Sequence, residues 1–286
     1  MGSLRSLETK ALRLLTALTA LSLAATVGCS QPSSSEIAVS GSSNGIIGGT
    51  DAQGDEDFSK TIVSLVNVIE GSLCTASILS DSILVTAAHC VDAPAGGLRV
   101  VFGTDIESDS RIVQKVEGYE VSPLWAFRSE EMLNAGDIAV VRFSGGLPAG
   151  YKPAKVLSAT AQIKNGDVVM LAGYGINDGV AKEGSGKLRY VETTIENAAF
   201  SDTEILVEQR KGKGACHGDS GGPAYAKVNG EWVLWGVTNR GVNDPNDHCS
   251  GSAAYANIPF YRNWIAQTAK KLLAKKPVKS ALASNQ

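Results

Sequence analysis

A chain of 286 residues, 43% of them hydrophobic, is long enough to bury a substantial core as one large all-β unit or two small ones. Its 26 basic and 29 acidic residues leave a formal charge of -3, which gives no reason to expect nucleic acid or a strongly anionic membrane surface as a partner. With three histidines in all, His89, His217 and His248 each have to be placed.

Arg5, Lys10 and Arg13 stand ahead of an apolar stretch over residues 14–27, the order of a signal peptide rather than of a spanning helix. Residues 1–29 are therefore expected to direct export. They end Thr26, Val27, Gly28, Cys29, which resembles a bacterial lipobox with Thr26 where leucine is usual. That resemblance implies diacylation of Cys29 and a lipid tether at a bacterial cell envelope, or release to the exterior. Residues 30–45 are dominated by serine and read as a flexible tether or propeptide. From Ile46 the pattern changes to short apolar runs at 61–68, 82–87, 98–102 and 138–143, separated by Gly, Asp, Asn and Pro. After a break at 152–161, runs follow at 168–172, 188–195, 204–207, 224–228 and 232–238. Many short strands with turn punctuation point to an all-β sandwich or barrel, and two packed barrels fit the series. A closing helix is expected over 261–273, after Pro259, because Trp264, Ile265, Thr268 and Leu272 recur at helical spacing. It is expected to pack on the second barrel. Residues 276–286 lack an apolar period and should fray, which leaves 46–275 as the folded domain.

The run Gly218, Asp219, Ser220, Gly221, Gly222, Pro223 sets a serine among glycines, where backbone N–H groups can face a developing negative charge. Serine is a poor nucleophile at neutral pH and needs a histidine base oriented by a carboxylate. Thr86, Ala87, Ala88, His89, Cys90 supplies the histidine, and Gly136, Asp137, Ile138, Ala139 supplies an acid opening an apolar strand. Taken singly, such a serine is a turn residue and such a histidine a buried one; three contexts in the order His, Asp, Ser carry the argument. That order resembles the chymotrypsin-like (trypsin-fold) serine proteases, as a bacterial exported member, rather than subtilisins or α/β-hydrolases. Ile46, Ile47, Gly48, Gly49 is similar to the family's mature amino terminus, Ala172, Gly173, Tyr174, Gly175 to its mid-chain turn, and Tyr261 to Ile265 to its closing helix.

The resemblance implies two packed six-stranded antiparallel β-barrels with the active site between them and a C-terminal helix. It implies Ser220 as nucleophile, His89 as base, Asp137 as orienter, and the N–H groups of Gly218 and Ser220 as the oxyanion site. It implies disulfides within Cys74, Cys90, Cys216 and Cys249; of the five cysteines Cys29 is then left over, and acylation accounts for it. Four free thiols would conflict with export. Cleavage between Gly45 and Ile46 would free an ammonium to pair with Asp219. Asn44 and Gly45 stand where Arg or Lys usually precedes the cut, so the activating protease is not identified, and an uncut first strand at 46–49 is the other reading.

The specificity pocket departs from trypsin. Gly214, six residues before Ser220 and followed by Ala215, stands where trypsin carries an acid, so a buried Lys or Arg would lack a partner. Strict tryptic cleavage is not expected. Gly241 keeps one wall open and Ala253 makes the slot shallower, favouring a small or medium apolar side chain. Arg240 would face substrate carboxylates or solvent, and His217 the pocket entrance. Asp244, Asn246 and Asp247 read as turn chemistry rather than a calcium site, and no metal or cofactor is expected. The partners expected are polypeptide substrates and an activating protease, and nothing argues against a monomer. Two rival readings use the same fold: a catalytically silent binding protein, although no triad member is replaced, and an esterase.

Overall fold

The computed structural model describes residues 46–129, 132–158 and 163–275. The expected signal peptide, Cys29, the 30–45 tether and the 276–286 tail lie outside the described residues.

After β1 (Thr50–Asp51), the strands β2 (Ile62–Asn67), β3 (Ser72–Ser80), β4 (Ile83–Thr86), β5 (Leu98–Phe102), β6 (Ile112–Val121) and β7 (Ala139–Phe143) close a barrel in the order β2-β3-β4-β7-β6-β5. The strands β8 (Val168–Gly173), β9 (Arg189–Asn197), β10 (Glu204–Glu208), β11 (Pro223–Val228), β12 (Glu231–Val242) and β13 (Ser252–Asn257) form a second, closed by the pairing of β8 with β9. β1 adds to β9 at its edge. The fold is therefore two closed six-stranded antiparallel β-barrels and one C-terminal helix, and closure leaves few free edges.

The apolar runs form strands because the barrels bury them. Val63, Leu65, Ile78, Leu84, Val100, Val140 and Phe143 fill the first barrel, and Val169, Leu171, Ile205, Val207, Trp235 and Tyr255 the second. Each such side chain taken fully out of water contributes about 1.5–3 kcal/mol. Three strands escape the apolar pattern. β3 reads Ser-Leu-Cys-Thr-Ala-Ser-Ile-Leu-Ser and β13 reads Ser-Ala-Ala-Tyr-Ala-Asn, with small and hydroxylated residues at buried positions, whereas β6 is amphipathic and largely half-exposed.

The helix α1 (Ile258–Ala274) begins three residues earlier than its periodicity suggests, with Pro259 in the first turn, where its missing N–H costs nothing. Its placement extends the sequence expectation. Tyr261, Ile265 and Leu272 join a core cluster to which both barrels contribute, and α1 lies against β6 and β7 of the first barrel as well as β12 of the second. Arg142 on β7 donates to the carbonyls of Leu272 (2.8 Å) and Lys275 (2.6 Å), satisfying acceptors at the helix end. Lys271 and Lys275 both reach Glu120 on β6.

Candidate active site

His89 lies in the short 3-10 turn Ala88–Val91 directly after β4, and Asp137 lies two residues before β7, the strand that pairs with β4. Adjacent strands thus bring together residues 48 apart in sequence. Asp137 is 2% exposed; its Oδ1 accepts the backbone N–H of His89 at 3.0 Å and its Oδ2 faces His89 Nδ1 at 2.8 Å. A carboxylate only accepts, so Nδ1 carries the proton of the neutral ring and Nε2 keeps its lone pair. Burial by itself would lower the His89 pKa, but the hydrogen bond and charge of Asp137 outweigh it and hold the group above its ordinary 6.5. The amide of Asn239, with its nitrogen turned to donate, lies 3.0 Å from the Asp137 carbonyl oxygen.

Ser220 comes from the second barrel, in the turn before β11, and the backbone holds it against the first. Thr75 N–H on β3 donates to the Ser220 carbonyl at 2.9 Å, and Cys90 Sγ lies 3.5 Å from the same oxygen. Thr75 is wholly buried: its hydroxyl donates to the Gly218 carbonyl (3.0 Å) and accepts the N–H of Tyr174 (3.1 Å). Nothing in the local sequence singles Thr75 out. The Ser220 hydroxyl makes no hydrogen bond to the imidazole among the described residues, a separation that catalytic pairs commonly close only with substrate in place.

The turn around Ser220 spends its other amides and keeps two. The N–H of Asp219 goes to Cys216 (3.0 Å), of Gly221 to Thr238 (2.8 Å) and of Gly222 to Asp219 (2.8 Å). Among the described residues no acceptor takes the N–H of Gly218 or of Ser220. Gly218 sits at φ +93°, a conformation that a side chain would strain.

Asp219 is fully buried. Its carboxylate accepts the N–H of Gly175 and of Cys216, both at 2.8 Å, and burial pushes its pKa up to about 7. A Cβ at position 175 would stand 2.6 Å from the Asp219 carboxyl carbon, so only glycine fits that turn. Ile46 is buried in the core of the second barrel with Ala215, while Ile47 bridges Gly214, whose N–H donates to the Ile47 carbonyl at 3.0 Å.

A cavity of about 280 Å³ opens beside Ser220, and Ala215, Gly241 and Ala253 line it. Gly214 does not, which corrects its assignment as a lining residue; the side chain of Gln209 occupies the space in front of it and lines the cavity instead. Asp244 and Asp247 also line it, on the loop after β12. Asp244 accepts from Cys249 N–H (2.6 Å) and the Ser250 hydroxyl (3.1 Å), and Asp247 contacts Lys182 and His217, each at 3.0 Å. Arg240 lines the cavity too, and both its terminal nitrogens reach Glu204, which is 1% exposed. Disulfides Cys74–Cys90 and Cys216–Cys249 brace the His89 turn and the cavity wall.

The trypsin family model matches residues 46–265. Trypsin alpha of Drosophila erecta is 32% identical over 215 residues, covering 70% of this chain and 78% of that protein, and trypsin alpha of Drosophila melanogaster is 30% identical over the same shares. Brachyurin of Leptuca pugilator is 28% identical, covering 67% of this chain and 85% of its own length. All three come from arthropods, so the bacterial source expected from the segment ending at Cys29 rests on that segment alone. With the two-barrel fold, the disulfides and these matches together, the chain belongs to the trypsin family and is a serine endopeptidase.

Proposed function

We propose that this endopeptidase hydrolyses peptide bonds through an acyl-enzyme formed on Ser220. The observation that carries the reading is the buried Asp137 engaging both the backbone N–H and Nδ1 of His89, which fixes the ring with a basic Nε2. Ser220 Oγ attacks the carbonyl carbon while His89 Nε2 takes its proton, and Asp137 stabilises the imidazolium that results. The oxyanion is received by the N–H groups of Gly218 and Ser220, each donor of this kind contributing on the order of 3 kcal/mol to the transition state. The C–N bond then breaks as the imidazolium gives its proton to the departing amine. Water, deprotonated by His89, releases the acyl group by the reverse steps.

Activation by a cut before Ile46 belongs to the same reading. Asp219 is a buried carboxylate held by two N–H groups, next to the loop on which residues 46 and 47 dock. The ammonium freed at Ile46 pairs with it and sets the Gly218–Ser220 turn. Two disulfides suit an oxidising compartment, and a protease exported by the 1–29 segment and lipidated at Cys29 would reach one. Cleavage before Ile46 would also free it from that tether.

The test compares the full chain, a form beginning at Ile46, and Ser220→Ala, read by fluorophosphonate labelling and cleavage of a mixed peptide library. Labelling and cleavage confined to the Ile46 form, and lost in Ser220→Ala, are expected. Equal activity of cut and uncut forms would remove the amino-terminal switch, and labelling that survives Ser220→Ala would remove the assigned nucleophile.

A further inference from the structure

The floor of the cavity beside Ser220 is made by a residue outside the Ser220 motif. A Cβ built on Gly214 would stand 2.4 Å from both Cγ and Cδ of Gln209 and 2.5 Å from its Oε1. The volume that a side chain at 214 would fill is therefore already taken, from the turn that follows β10. Gln209 is 2% exposed and its amide is clamped at both ends: Ala215 N–H donates to Oε1 at 2.7 Å, and Nε2 donates to the Ala215 carbonyl at 3.2 Å. An amide offers two N–H donors and two acceptor lone pairs, and Ala215 uses one of each. What remains to this cavity-lining amide is one donor and one acceptor without net charge. The charged residues that also line the cavity are held by others: Asp247 by Lys182 and His217, Asp244 by the N–H of Cys249 and the hydroxyl of Ser250, and Arg240 by Glu204.

We propose that Gln209 determines the substrate side chain this protease accepts: as a neutral amide floor it shortens the cavity, admits small and medium uncharged side chains on the acyl side of the scissile bond, and excludes Lys and Arg. The inference rests on the Ser220 reading, which makes this cavity the place for that side chain. It also explains why glycine at 214 does not leave a deep slot. Burying a cation on an uncharged floor leaves it unpaired, whereas a small side chain loses nothing.

The experiment uses the full chain and its Ile46-cut form in five versions: unaltered, Gln209→Ala, Gln209→Met, Gly214→Asp, and Gly214→Asp combined with Gln209→Ala. Two measurements are made, a cleavage profile against peptides varied at the acyl-side residue, and calorimetric titration with benzamidine, an aromatic amidinium that needs no turnover to bind. The unaltered enzyme is expected to cut after small and medium uncharged residues. Gln209→Ala should extend cleavage to larger side chains, while Gln209→Met, which keeps the length of the floor, should still reject them. Gly214→Asp alone should gain little benzamidine affinity, because its side chain meets Gln209, and the double variant should bind at least about tenfold tighter than either single one, the non-additivity expected of residues competing for one space. A profile led by Lys and Arg in the unaltered enzyme, or a Gly214→Asp variant gaining as much as the double, overturns the proposal. Loss of fluorophosphonate labelling in the unaltered protein would instead count against the Ser220 reading, and the titration would still report on the floor.

Discussion

Asp219 and Ile46 each hold an unfavourable state in the uncut chain. The Asp219 carboxylate lies in a fully buried site with two N–H donors and a folded pKa of about 7 against an ordinary 3.8. Between those values the folded chain keeps a proton that the unfolded chain has released, so stability falls as pH rises through that window. Ile46 meanwhile sits at φ +48°, a left-handed conformation that a β-branched residue adopts at a cost of about 1–3 kcal/mol. The proposed cut before Ile46 would remove the φ restraint and supply a cation that lowers the folded pKa of Asp219. Thermal unfolding of the uncut chain should therefore show Tm falling between about pH 4 and pH 7, a fall smaller in the cut form and in uncut Asp219→Asn. An identical pH dependence in all three would show that Asp219 does not sense the cut. His89 shifts stability with the same sign, but its titration moves activity the other way. Its raised pKa means that the inactive imidazolium persists above pH 6.5, so kcat/KM should climb with pH through a midpoint higher than that. Asp137→Asn should lower kcat by about 10⁴-fold, measured on the best library peptide.

At the scale of elements, the turn bearing Ser220 is only as well placed as its attachment to β3. Thr75 supplies that attachment from 143 residues away, tying the Gly218 carbonyl and the Tyr174 N–H through one hydroxyl. Thr75→Val keeps the shape and leaves both groups buried without partners, for an expected loss of about 1–3 kcal/mol in denaturant unfolding. Because Gly218 carries a proposed oxyanion donor, kcat should fall more than KM rises, and Thr75→Ser should restore both. A variant with lower stability but unchanged kcat would reduce Thr75 to packing. The same element shows what the sequence conceals. Apolar runs made β2, β4, β5 and β7 readable, whereas β3 and β13 carry hydroxyl and small side chains into buried positions and show neither alternation nor an apolar run. The site divides in the same way. His89, Asp137 and Ser220 stand in distinctive local contexts, but Glu204 and Thr75 acquire their partners only when distant segments are brought together, and Gln209 acquires its partner through the fold of the turn that carries Ala215, six residues on.

At the scale of the whole molecule, the two barrels are not independent units, because the chain returns to the first after completing the second. α1 follows β13 of the second barrel, yet Tyr261, Ile265 and Leu272 pack into a core cluster that both barrels share, the helix lies on β6 and β7 as well as β12, and Arg142 and Glu120 hold its end. Thr61 and Tyr225 share a buried 2.7 Å hydrogen bond between the barrels, and Thr75 adds its bonds to the Ser220 turn. Unfolding the second barrel therefore strips the first of its cover, and opening the first frees the turn that holds Ser220. Scanning calorimetry of residues 46–286 should give a single transition with a calorimetric enthalpy equal to the van't Hoff value, coincident with loss of fluorophosphonate labelling. Leu272 is 1% exposed, and Leu272→Ala should cost about 2–5 kcal/mol and move that one transition downward as a whole. If Leu272→Ala instead split off an early transition of the first barrel while the second melted unchanged, α1 would be a local lid rather than the element that couples the halves. Since β7 packs beneath α1 and is the strand that Asp137 precedes, that early transition would then be the one that abolishes labelling.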